Sequence, residues 1–212
     1  MILDWPDCTN VRDLGGLTTA GGRRVRSEAL LRSDSPHRLT APAIAAIRAG
    51  GLRRIVDLRW TAECVQRPSP FEGDPIYAHR PLLGDDDYEI LPDSYVAMLE
   101  YNRPQIGAAF RAVADAPPGG VLVHCLEGKD RTGVLVALLL LVAGVPDDQI
   151  ADDYALTTGV DRAYMVNTLT YLHDAYGDVS TYLAECDVDA AHLEAVRSRL
   201  LEQPAAGGPA GR

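Results

Sequence analysis

The chain has 212 residues, 47% of them hydrophobic and 24% charged, with a formal net charge of −10. That size and balance fit one globular domain with a sizeable core, and the acidic excess argues against a nucleic-acid partner and against unaided adhesion to an anionic membrane. The longest apolar run, Val134 to Ala143, is too short to span a bilayer, and Met1 to Asp7 carries two aspartates in place of a basic start, so a cytoplasmic protein is expected.

Taken in order, Asn10 to Gly22 reads as an irregular, glycine-rich start with a turn at Ala20-Gly21-Gly22. A strand is expected around Ala29 to Arg32. Thr40 can cap a helix over 41–49, with Pro42 in its first turn and Gly50-Gly51 ending it. Leu52 to Leu58, Leu-Arg-Arg-Ile-Val-Asp-Leu, reads as a buried strand that delivers Asp57 and Arg59 to its carboxyl end. Ile76 to Leu82 is a further strand candidate, followed by an acidic stretch at Asp85, Asp86 and Asp87.

Helices are expected near 93–101 and 104–115, with Pro117-Pro118-Gly119-Gly120 breaking the second. Val121 to His124 is a short apolar strand, and 131–143 a helix that is apolar almost all round, hence central. More helices are expected near 147–157, 160–175 and 189–201, and the Ala/Gly/Pro-rich residues 203–212 read as a disordered tail. Strands alternating with helices early, then a helical second half, predict an α/β fold with a mainly parallel central sheet flanked by helices, and one domain over 1–202.

The segment from His124 to Gly133, HCLEGKDRTG, carries the chemistry, and its Lys129 is the only lysine in the chain. A cysteine at the end of a strand and just before a helix is placed to lose its proton, because a helix N-terminus and nearby cations favour the thiolate. Leu126, Glu127, Gly128, Lys129, Asp130 and Arg131 can wrap their backbone N–H groups around phosphate oxygens. Gly128 suits the left-handed turn such a loop needs. Arg131 supplies a rigid fork for two phosphate oxygens, Thr132 can donate its hydroxyl to the sulfur, and His124 can help to hold the loop.

A nucleotide P-loop is excluded, since GxxxxGK[ST] would require Gly at Val123 and Ser or Thr at Asp130. Cys8, Cys64, Cys125 and Cys186 lie far apart, with no metal-ligand spacing and no disulfide framework expected. Cys8 and Cys64 are the thiols that could trap an oxidised Cys125.

The ten-residue segment resembles the signature loop of cysteine-dependent tyrosine and dual-specificity phosphatases. More narrowly, it is similar to bacterial tyrosine phosphatase family 3, which includes secreted mycobacterial phosphatases active on phosphotyrosine and phosphoinositides. Asn10-Val11-Arg12-Asp13-Leu14-Gly15-Gly16, Leu31-Arg32-Ser33-Asp34 and Val56-Asp57-Leu58-Arg59 match in type and order, so the likeness covers most of residues 8–200.

The resemblance implies a tyrosine phosphatase-like fold and two-step hydrolysis through a phosphocysteine on Cys125, with no metal or other cofactor. It implies Asp57 as the general acid, with Asp85, Asp86 and Asp87 as the alternative. It implies phosphotyrosine proteins or peptides as substrates, with dual specificity as a broader form. Lys129 favours phosphoinositides as the alternative, while Glu127 and the acidic surface oppose them. An inactive phosphate-binding module and an arsenate reductase are the rival readings. The intact Cys125–Arg131 pair disfavours the first, and the mid-chain position of the loop disfavours the second.

Overall fold

The structure, a computed structural model, describes residues 5, 8–84 and 93–203. Five strands form one sheet: β1 (Arg12–Asp13), β2 (Leu30–Ser33), β3 (Leu52–Asp57), β4 (Tyr77–His79) and β5 (Gly120–His124), in the spatial order β1-β2-β5-β3-β4. Only β1 runs antiparallel, pairing Arg12 with Arg32. The other three pairings are parallel. This is the mainly parallel α/β sheet that the alternation of patterns predicts.

The centre of the sheet is β5, buried at every residue. Side chains of a strand alternate between faces, and the two faces build two cores. Val121 and Val123 join the larger one with Leu30, Val56 and the helices of the second half. Leu122 points to the smaller one with Leu31, Ile55 and Phe71, covered by α1 (Ala41–Ala49). As predicted, Thr40 caps α1, its side chain accepting from Ala43 N–H.

The remaining helices are α2 (Thr61–Gln66), α3 (Val96–Tyr101), α4 (Arg103–Ala114), α5 (Asp130–Ala143), α6 (Asp147–Ala155), α7 (Arg162–Tyr176), α8 (Val179–Glu185) and α9 (Ala190–Leu200). Eleven of the fourteen residues of α5 are buried, and Gly144 ends the helix in the left-handed conformation at φ 82°. Among the described residues, no helix is long and apolar enough to cross a membrane.

Four elements depart from expectation, the first being β1, a two-residue strand inside the segment expected to be irregular. The short helices α2 and α8 stand where no helix is expected, and strand β4 covers only Tyr77–His79 of the expected 76–82. Beyond β4 the chain still bonds to its neighbour, Arg80 N–H to Asp57 O at 2.8 Å and Leu82 N–H to Leu58 O at 3.3 Å. Asp85, Asp86 and Asp87 lie outside the described residues, as does the expected tail beyond Gln203.

The register aligns the carboxyl ends of the strands, with Ser33 and Asp57 both opposite His124. The residues that follow His124 therefore emerge at the carboxyl edge of a parallel sheet, flanked by the ends of β2 and β3. That edge is where such folds place their ligands.

Candidate active site

Cys125 follows β5 directly, and the chain turns through Leu126–Lys129 before α5 begins at Asp130. Cys125 is 3% exposed and its Sγ accepts the Gly128 N–H at 3.2 Å, so the loop folds back over the sulfur. Gly128 has φ +69°, and a Cβ there would lie 2.4 Å from the Ser33 carbonyl oxygen. Both the conformation and the close approach demand glycine.

The loop is held from outside. Ser35 N–H donates to Leu126 O at 3.0 Å. The Gly128 carbonyl accepts from the Asn10 amide at 2.9 Å and from Arg32 Nη2 at 2.9 Å. Arg32 is in turn bonded to Asp153 of α6 at 2.8 Å, and Asp153 takes Arg12 on its other oxygen at 2.8 Å. Burial pushes the Arg32 pKa down, and Asp153 opposes that shift. Two buried arginines thus share one buried carboxylate, and the group ties β1, β2 and α6 to the loop.

Arg131 does not stand free. Its Nη1 and Nη2 donate to the two oxygens of Glu63 at 2.5 and 2.9 Å, and its guanidinium lies 4.9 Å from the centroid of the Trp60 ring. Glu63 also accepts the Trp60 N–H at 2.7 Å, which starts helix α2. Burial works to raise the Glu63 pKa, but Arg131 and that N–H outweigh it and hold the carboxyl below its ordinary range. The end-on grip of Glu63 leaves the Nε edge of the fork available to a phosphate.

Asp57, the expected general acid, is enclosed by its partners. It is wholly buried, and Arg59 Nε and Nη2 donate to it at 2.9 and 2.6 Å. Tyr77 donates its hydroxyl at 2.8 Å. Burial works to raise its pKa, yet His124 and the permanently charged Arg59 hold the carboxyl well below the usual carboxylate range.

His124 is fully buried, and burial pushes its pKa down against the attraction of Asp57 3.7 Å away. Its Nδ1 lies 3.1 Å from the Cys125 carbonyl, and its own carbonyl accepts the Leu58 N–H at 2.9 Å, so it braces the start of the loop. The Thr132 hydroxyl is buried without a hydrogen-bond partner among the described residues. The donor to the sulfur is the Gly128 amide, not Thr132 as expected.

Asp130 is exposed at the first position of α5 and accepts the hydroxyl of Tyr95, which itself lies 2.5 Å from the Tyr154 hydroxyl. Burial, then Asp130, push the Tyr95 pKa up, so that hydroxyl keeps its proton. Lys129 is half-buried and pairs with Glu127 at 3.4 Å. Among the described residues no disulfide joins the four cysteines. Cys64 lies 3.5 Å from His79 Nε2 and 3.7 Å from Asp57, where burial, then Asp57, push its pKa up to about 11. Among the described residues no cluster of three or more His, Cys, Asp or Glu is placed to hold a metal ion.

Glu63, Trp60, Asp153 and Tyr95 are the site residues that sequence reasoning missed. The only local signal was Glu63 three residues after Trp60, the spacing of a capping box with Trp where Ser or Thr normally stands.

The chain is similar in sequence or in fold to several known proteins. Over 145 residues, 63% of this chain, it is 33% identical to a tyrosine-protein phosphatase of Nostoc commune, and that match covers 49% of the relative. The chain thus spans about half the length of that curated relative. It is 29% identical over 192 residues to the triple specificity protein phosphatase PtpB of Mycobacterium tuberculosis, covering 72% of this chain and 68% of that one.

The core catalytic domain of the PP-IP phosphatase SIW14 from S. cerevisiae superposes with a TM-score of 0.50 at 14% identity, covering 87% of this chain and 97% of that domain, a likeness of fold. The model of the tyrosine phosphatase family matches residues 3–160, which include β1, the Asp57–Arg59 turn, the Cys125 loop and Asp153. With three quarters of its length matched and its signature loop in place, the chain belongs to the tyrosine phosphatase family.

Proposed function

We propose that residues 1–202 act as one cysteine-dependent protein-tyrosine phosphatase domain that hydrolyses phosphomonoesters through a phosphocysteine. One observation carries the reading. The Cys125 sulfur sits under the Gly128 amide at the mouth of a loop whose Arg131 is already held, with one edge of its fork left for phosphate. The Cys125 thiolate attacks phosphorus, the ester P–O bond breaks, and the leaving phenolate takes a proton from a carboxyl group. Water then attacks phosphorus, the S–P bond breaks, its proton returns to the carboxylate, and inorganic phosphate leaves.

Asp130 is our candidate for that carboxyl. It is exposed at the rim of the loop and oriented by Tyr95, whereas Asp57 is sealed among Arg59, Tyr77 and His124 and is assigned a bracing role. Leu126 to Arg131 bind the phosphate, His124 and Thr132 support the loop, and neither metal nor other cofactor enters the reaction. A cytoplasmic setting belongs to the same proposal. Dual specificity is a broader form of the same reading. The ion pair of Lys129 with Glu127 supports phosphotyrosine over phosphoinositides, because it lowers the net positive charge at the loop.

The test is hydrolysis of para-nitrophenyl phosphate, phosphotyrosine peptides and phosphoinositides, with Cys125→Ser as control. Turnover lost in that variant is expected. No turnover by the folded wild type on any substrate would sink the proposal. Asp130→Asn should slow substrates with poor leaving groups more than those with good ones, while Asp57→Asn should lower stability without that dependence.

A further inference from the structure

Along the loop that follows Cys125 lies a cavity of about 490 Å³. Its walls include Glu127 and Lys129 from the loop and Asp34, His37, Arg38 and Arg67 from beyond it. Its charged walls carry three cations, Arg38, Arg67 and Lys129, against two carboxylates, Asp34 and Glu127, in a chain of net charge −10. Among the described residues neither Arg38 nor Arg67 has a carboxylate partner, whereas both nearby carboxylates are engaged. Asp34 accepts the Thr9 and Asn10 N–H groups at 3.0 and 3.3 Å and the Thr9 hydroxyl at 3.2 Å. Glu127 pairs with Lys129.

Both arginines stand on backbone that is fixed relative to the catalytic loop. Arg38 ends a short 3-10 turn, Pro36–Arg38, whose preceding residue Ser35 bonds the Leu126 carbonyl. Arg67 follows α2, and its carbonyl accepts the buried Arg59 Nη1 at 2.7 Å. His37 is pushed below its ordinary pKa, by burial first and then by Arg38 and Arg67, so it stays neutral and leaves the arginines as the fixed charges.

We propose that this cavity is a second anion subsite, filled by the carboxylate of an acidic residue flanking phosphotyrosine in a peptide substrate, with Arg38 and Arg67 as specificity-determining residues. The proposal rests on the phosphatase reading above and names the substrate class it selects. A single carboxylate is matched by two arginines, while the exposed Glu127 at the rim and the acidic surface repel a membrane of anionic lipid. The volume lies within the range of small-ligand pockets and admits a Glu side chain.

The experiment compares phosphotyrosine peptides carrying Glu or Gln beside the phosphotyrosine, together with para-nitrophenyl phosphate and a soluble short-chain phosphoinositide. The proteins are the full chain, Arg38→Ala/Arg67→Ala and Arg38→Lys/Arg67→Lys. Wild type should prefer the Glu peptide by about tenfold in kcat/KM, carried by KM, the size expected of two partly exposed charge pairs. The alanine pair should bring the ratio to about one with para-nitrophenyl phosphate kinetics unchanged, the lysine pair should keep most of it, and about 0.5 M salt should abolish it.

Absence of a preference in wild type, a preference that survives in the alanine pair, or a loss confined to the phosphoinositide would each overturn the subsite. Failure of wild type to turn over para-nitrophenyl phosphate would instead overturn the phosphatase reading. The affinity of the Cys125→Ser chain for the Glu over the Gln peptide would then still read the subsite.

Discussion

Arg131 shows how a single side chain is prepared for one job. A free arginine on a helix samples many rotamers and must lose that freedom when it binds. Here Glu63 takes both terminal nitrogens and the Trp60 ring, 42% exposed, backs the guanidinium plane. Glu63→Gln is therefore expected to lower kcat/KM for para-nitrophenyl phosphate by about tenfold, roughly 1.4 kcal/mol of transition-state stabilisation, with the thermal midpoint nearly unchanged. Steady-state kinetics beside a melting curve would check it.

The cysteines offer a second test. Burial pushes both Cys64 and Cys186 up to about 11, so each remains a thiol at neutral pH. Iodoacetamide at pH 7 should label Cys125 ahead of both, read by peptide mass spectrometry. Preferential labelling of Cys64 would contradict the environment described for it.

The loop between β5 and α5 is kept in shape by its neighbours. Gly128→Ala would force a side chain into the left-handed region against the Ser33 carbonyl. It should cost about 100-fold in kcat, the scale of losing one well-placed backbone donor, while circular dichroism stays native. Asp153→Asn acts on the bracket instead. It leaves Arg12 and Arg32, 3% and 1% exposed, without their shared counter-charge. A loss of about 3–5 kcal/mol in unfolding free energy is expected, measured by the urea midpoint at constant slope.

Across the molecule, the sheet edge and the central helix divide the work. Helix α5 carries the loop at its first turn and fills the larger core with Val134–Leu140, so site geometry and global stability share one element. Leu139→Ala should cost about 2–5 kcal/mol through the cavity it opens. Acid should act on the whole fold through its depressed carboxyls. Asp57 and Glu63 both titrate below their ordinary values when folded. The unfolded chain then binds more protons than the folded one near pH 4, and stability falls as pH drops. Their contribution is full above about pH 5 and is lost as pH falls through the folded values, which urea titrations at pH 7 and pH 3.5 would read.

Local chemistry made much of this legible beforehand. The run at Val121–His124 is a strand buried on both faces, Ile55–Asp57 is buried likewise at the end of β3, and α1 lies where Thr40 and Gly50 mark its ends. The Cys125–Arg131 loop is contiguous, so its spacing alone specifies a strand, a turn at Gly128 and a helix start. Helix α2 was not legible, because six residues with Trp at the cap carry too short a periodicity.

The partners of the loop were hidden for a different reason. Glu63 lies 68 residues from Arg131, and Asp153 lies 141 and 121 residues from Arg12 and Arg32. No local pattern reports which charges are brought together when distant segments pack. Asp57 is the clearest case, since its place beside Arg59 is read from two neighbouring positions, while its contacts with Tyr77 and His124 come from segments 20 and 67 residues away. The order of residues thus sufficed for the signature loop, the family and the parallel sheet, which depend on neighbours in the chain. Folding settled which carboxylates are sealed and which stay at the rim, because burial is a property of the packed whole.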